Sequence, residues 1–154
     1  LWCRAAVMFY GVYPQPIGSV GLSRVDIRDV AETAVIALTQ PGHDGKEYSL
    51  HGPDVLTGEI VAAIFSKHLG REIRYGGNDL EAWAKQAPHM MTEWMVRDLR
   101  IMYDYFQKKG LIASAEDLAA QYKVLGHAPR RFDDFVAEIV SIWQREIAGN
   151  PTVH

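Results

Sequence analysis

The sequence predicts a helix-rich α/β fold: a small parallel sheet of two or three strands with crossover helices, then a C-terminal cluster of helices. Three observations predict it. Short β-prone stretches alternate with amphipathic helical periods over the first half, an order that favours crossover connections and parallel pairing. From residue 77 onward the pattern is helical throughout. No glycine-rich strand-turn-helix motif, neither G-x-G-x-x-G nor a P-loop, occurs anywhere in the 154 residues, so a phosphate cradle of exposed backbone amides is not foreseen.

Bulk composition sets the class. The chain suits one domain, divided as a lead over 1–19, a β/α part over 20–76 and a helical part over 77–148. It is 48% hydrophobic and 23% charged, with a net charge of -3, which excludes nucleic acid as the main partner. A single cysteine, Cys3, rules out an internal disulfide and fits a reducing, cytoplasmic setting. The six histidines share no i, i+4 spacing, so no metal site is expected. No apolar run approaches the ~20 residues of a membrane span, and "GVYPQP" after the apolar start is no signal-peptide cleavage site. The chain begins at Leu1, and its natural start is expected upstream.

The elements follow in order. "AAVMFYGVY" reads as a strand and "VYPQPIGS" as loop, so residues 1–19 form an extended lead. "SRVDI" reads as a short strand that runs into a helix over Ile27 to Gln40, capped by Asp26. Ile27, Val30, Ala31, Ala34, Val35 and Leu38 form its apolar stripe. "KEYSLHG" alternates like a strand. Thr57 caps the next helix, Leu56 and Val61 staple its entry, and Gly70 supplies the left-handed stop. "EIRY" is the third strand. Asp79 caps a short helix with Leu80, Trp83, Ala84 and Ala87. Thr92 opens a longer one with Met95, Leu99, Met102, Tyr103 and Phe106 inward, closed by Gly110. Ser114 caps "SAEDLAAQYKVLG", and Phe132 to Ile147 is the last amphipathic helix.

Few residues invite chemistry. Tyr105 and Lys109 spell Y-x-x-x-K, but Lys109 sits where a cation suits a helix C-terminus, so no catalytic residue is assigned. Asp133 and Asp134 read as helix-start charges, and His127 as a loop residue. "GHDGKE" and "YGGND" lack a strand-to-helix setting and carry no cofactor-binding residue. The run Trp83, His89, Met90, Met91, Trp94, Met95 is soft and aromatic, a composition common in core packing and subunit contacts and also suited to a small apolar ligand. With His51, at a predicted strand end, Trp83, Met91, Trp94 and Met95 make the candidate substrate pocket.

Four phrases, in order, resemble one family. "SRVDIRDVAETAVIAL", "GKEYSLHGPDVLTGEIVAAIFSKHLGREIRY", "DLEAWAKQAP" and "LGHAPRRFDDFVAEIVSIW" look like the C-terminal half of NmrA-like proteins, atypical short-chain dehydrogenases. The resemblance implies a Rossmann relative that binds NADP or NAD, in which some members reduce small molecules and others sense redox state. The family's glycine-rich loop and any Tyr/Lys pair lie upstream of the matching phrases. The expectation is therefore a substrate-side portion that holds no cofactor and is inactive alone. A small-molecule-binding or regulatory module, or a ligand-free interaction protein, is the alternative. With so small a sheet, the stripe of the helix after Asp26 stays partly bare, which implies a dimer or higher oligomer.

Overall fold

The computed structural model describes residues 3–89 and 91–149. Among them the elements run α1 (Arg4–Tyr10), β1 (Val12–Tyr13), α2 (Ile27–Thr39), α3 (Gly58–Leu69), β2 (Arg74–Tyr75), α4 (Leu80–Gln86), a 3₁₀ turn (Ala87–His89), α5 (Glu93–Lys109), α6 (Ala115–Leu125) and α7 (Phe132–Gly149). The helix-rich class with a small parallel sheet is the one expected: β1 pairs with β2 in parallel, Val12 beside Arg74 and Tyr13 beside Tyr75. Contacts group the chain into two compact units that interleave in sequence. One comprises Leu1–Leu22 and Leu56–Leu111, the other Ser23–Val55 and Ile112–His154.

In the first unit, Tyr13 brings the sheet onto α3, its ring 6.2 Å from that of Phe65 and 6.3 Å from that of Tyr75. Val7, Ile17, Val61 and Phe65 are essentially inaccessible around it. α3 forms where its signals stand: the Thr57 hydroxyl accepts from the Ile60 amide at 3.2 Å, and Gly70 takes the left-handed conformation at φ 65. Three segments differ from expectation. Residues 23–26, expected as a short strand, form none. Residues 4–10 form a helix, not an extended lead, because Ala5, Ala6 and Met8 favour a turn that Gly11 can close at φ 63. Residues 46–52 form no strand. The Lys46 amide closes a turn onto His43 O at 3.1 Å and the Gly52 amide meets Ser23 O at 3.3 Å, and alternation without a ladder of partners does not make a sheet.

The second unit packs α2 against α6, and around α7 it buries Val136, Val140 and Trp143, an i, i+4, i+7 face. Asp26 caps α2 through the Arg28 amide at 2.8 Å. α2 itself is turned. Asp29 and Thr33 are buried, whereas Ile27, Val35 and Leu38 are 75%, 60% and 86% exposed. Its polar side faces the protein and its apolar stripe faces outward. α6 begins with a capping box in which Ser114 and Asp117 satisfy each other's backbone amides.

Candidate functional site

The first unit holds a cavity of about 310 Å³, within the size range of small-molecule sites. β1 and the following loop contribute Val12, Pro14 and Gln15, α4 contributes Ala82, Trp83 and Gln86, Ala87, Met91 and Tyr103 add to the wall, and Cys3 with the turn Gly76, Gly77 and Asp79 completes it. The Trp83 ring meets Tyr103 edge-on with centroids 5.1 Å apart, a favoured aromatic geometry. Tyr103 is buried and Trp83 half-buried, so one ring buttresses the other and leaves an indole surface toward the space. Met91 is tied to the turn before it, its amide donating to Ala87 O at 3.1 Å. Gln15 is oriented by the Tyr13 hydroxyl, which donates to its Oε1 at 2.6 Å. The wall is aromatic and sulfur-bearing, with a few polar groups at its edge.

Of the residues singled out from the sequence, Trp83 and Met91 meet in this cavity. Trp94 is 63% exposed and Met95 half-buried on α5, and neither lines it. His51 belongs to the second unit, where its backbone amide donates to Gln121 Oε1 at 2.7 Å. Met90 lies outside the described residues. Tyr103 had been read as core alone, and Gln15, Gln86 and Asp79 had gone unnoticed as wall. Nothing in their spacing marks them, because the chain brings residues 12–15 beside residues 76–91 only through the β1–β2 pairing. Tyr105, more than half exposed, and Lys109 stand on the outer side of α5.

A larger cavity, about 500 Å³, lies in the second unit, lined by Ile36, His43, Lys46 and Tyr48 with Glu116 and Lys123 of α6. It mixes charges of both signs beside Ile36, Val124 and the Tyr48 ring. The smaller, aromatic cavity is the better candidate on chemical grounds.

Can this chain hold a dinucleotide? "YGGND" does lie between a strand and a helix, contrary to the sequence reading: β2 ends at Tyr75, Gly77 adopts φ 90 and α4 starts at Leu80. The turn is closed, however. Asp79 Oδ1 accepts both the Glu81 and Ala82 amides at 2.9 Å, the donors a phosphate would need, and its charge repels an anion. "GHDGKE" is a turn after α2, with no strand before it. Among the described residues neither glycine turn fits a pyrophosphate.

One group of potential metal ligands assembles in the second unit: Asp29, Glu32 and His127. Arg130 already fills it. Its backbone amide donates to Asp29 Oδ2 at 2.8 Å, and its guanidinium donates to Asp29 Oδ1 and, at 3.1 Å, to Glu32 Oε2. The centre is thus an internal ion cluster joining α2 to the segment before α7. His127 has acceptors on both ring nitrogens, Ala128 O at 2.8 Å and Glu32 Oε1 at 3.1 Å. The Ala128 carbonyl, then the Glu32 carboxylate, push its pKa above the usual value, and His127 with Arg130 holds Glu32 below its own.

Against this geometry stand the comparisons with known proteins. No protein-family model matches the chain. It is 44% identical over 82 residues to NAD(P)H azoreductase of Xenophilus azovorans, covering 53% of this chain and 28% of that one. It is 30% identical over 128 residues to (4-alkanoyl-5-oxo-2,5-dihydrofuran-3-yl)methyl phosphate reductase of Streptomyces griseus, 83% of this chain and 44% of that one. The NADPH-dependent quinone oxidoreductase of Escherichia coli superposes with a TM-score of 0.78 at 21% identity, over 90% of this chain and 50% of its own. The chain has the fold of the C-terminal half of an NAD(P)H-dependent reductase. Triphenylmethane reductase of Citrobacter, solved with NADP(H), gives 0.74 at 21% identity, over 88% and 46%. The chain therefore spans about half the length, or less, of these relatives, and the resemblance to NmrA-like proteins stands at the level of the fold. No described helix is long and apolar enough to cross a membrane.

Proposed function

We propose that this chain is the substrate-side portion of a cytoplasmic NAD(P)H-dependent oxidoreductase, and that the first unit's cavity seats a flat aromatic electron acceptor. One observation carries the reading: Trp83, braced by Tyr103, lines a small cavity together with Met91 in a chain folded like half a reductase. Quinone, azo and triphenylmethane appear in the names of the relatives, and the aromatic or conjugated faces that such groups carry suit a wall of this kind. The chain orients the acceptor and keeps water from it, whereas NADP or NAD must be gripped elsewhere, since Asp79 closes the one strand-to-helix glycine turn. NADPH is accordingly expected not to bind this chain alone.

The test is a fluorescence titration with 2,3-dimethyl-1,4-naphthoquinone, whose blocked ring positions prevent alkylation of Cys3. Saturable quenching that Trp83→Leu abolishes is expected. Quenching that rises without saturation and is unchanged in Trp83→Leu overturns the reading.

Self-association belongs to the same proposal, with α2 as its surface and a second copy as its occupant. In an antiparallel α2 pair, Ile27 faces Leu38 and Ala31 faces Ala34 of the copy, so small residues meet at the centre and large ones at the ends. Light scattering at micromolar concentration should give a dimer or larger species, and Ala31→Arg should reduce it. A monomer contradicts this part.

A further inference from the structure

Charge is distributed unevenly around the cavity of the first unit. Its wall comprises aromatic rings, a thioether, a thiol, two side-chain amides and apolar groups, and its one formally charged member is Asp79. Among the described residues no lysine, arginine or histidine is in the wall. Asp79 stands at the exposed rim. Its Oδ1 is committed to the Glu81 and Ala82 amides, while Oδ2 has no donor among the described residues and remains free to face a ligand. Trp83, half-buried, adds an aromatic ring to the wall, and the face of such a ring attracts cations. Among the described wall residues the one formal charge is negative.

We propose that this cavity selects planar aromatic cations over planar aromatic anions, with Asp79 as the discriminating group. The inference rests on the reading of the cavity as an acceptor site and narrows its ligand class. A delocalised cation stacks on Trp83, places its charge toward Asp79 and sheds little hydration in doing so. An anion of the same shape meets a carboxylate, and no cationic side chain among the described wall residues repays its desolvation. The geometry thereby separates two ligands of equal size that an uncharged slot would treat alike.

The experiment uses three two-ring probes of matched shape on the whole chain: N-methylquinolinium, 2,3-dimethyl-1,4-naphthoquinone and 2-naphthoate. The expected order of affinity is cation, neutral, anion, with about tenfold between the first and last at low salt, shrinking as salt rises. Asp79→Asn is the informative variant, because asparagine caps a helix as well as aspartate does and removes only the charge. It should lower the affinity of the cation about fivefold more than that of the neutral quinone and raise that of 2-naphthoate. Equal affinity for cation and anion, or an Asp79→Asn variant that leaves their ratio unchanged, overturns the charge selection and leaves the aromatic site standing. Failure of all three probes to bind overturns both.

Discussion

Asp29, wholly buried on α2, is held by Arg130, which lies 101 residues further along and gives it both a backbone amide and a guanidinium. A carboxylate removed from water is tolerated only when its charge and lone pairs are answered. Arg130→Met keeps much of the side-chain bulk but leaves that charge unanswered. The expected loss is about 3 kcal/mol in chemical denaturation. Asp29→Asn, which removes the charge at its source, should cost less.

His127 makes part of this stability depend on pH. Both its ring nitrogens face acceptors, an arrangement that the doubly protonated imidazolium satisfies, and its folded pKa is raised above 6.5. Its contribution is therefore complete below the unfolded value and is lost as pH rises through the folded one. Glu32, held low, contributes above its ordinary range and loses this only as pH falls through its depressed value. Denaturation midpoints should thus decline between pH 6 and 8, and His127→Gln should flatten that decline. An unchanged slope in the variant contradicts the assignment.

Helix caps were the most legible feature of the sequence, and they supply a quantitative check. Ser114 accepts the Asp117 amide at 3.0 Å, and its own amide donates to Asp117 Oδ2 at 3.1 Å. Ser114→Ala should cost about 1 kcal/mol in thermal or urea unfolding. Thr92 was named on the same grounds, yet its side chain makes no capping bond, so Thr92→Ala should cost distinctly less.

Gly58 tests the packing behind the cavity. It opens α3 directly against the Tyr75 ring, and a Cβ there would lie 2.1 Å from Tyr75 Cζ. Tyr75 in turn accepts the Gly18 amide at 3.3 Å and donates to Asn78, so its ring cannot withdraw without cost. Gly58→Ala should destabilise the chain by about 1–3 kcal/mol, despite alanine's better helix propensity. A neutral or stabilising result refutes this contact.

The same residues show what sequence patterns convey. Asp26, Thr57, Asp79 and Ser114 were readable because a cap acts within one turn of its own helix. The stripe Ile27–Leu38 was readable as a period, but a period does not say which face the protein covers; here the buried side belongs to Asp29 and Thr33. Asp29 with Arg130, and Gln15 with Trp83, were not readable. Such pairs are local only in three dimensions, and a polar residue opposite an apolar stripe ordinarily signals solvent. "KEYSLHG" misled for a related reason: alternation records a tendency to pair, not a partner.

The central claim is that Trp83, Met91 and Tyr103 wall a site for a flat aromatic acceptor. NMR spectra recorded during titration with 2,3-dimethyl-1,4-naphthoquinone test it most directly. The account predicts saturable shifts of the Trp83 indole and Met91 methyl signals, with Trp143, buried on α7, unmoved. Undisturbed Trp83 and Met91 signals at saturating quinone, or equal shifts at Trp143, would contradict it.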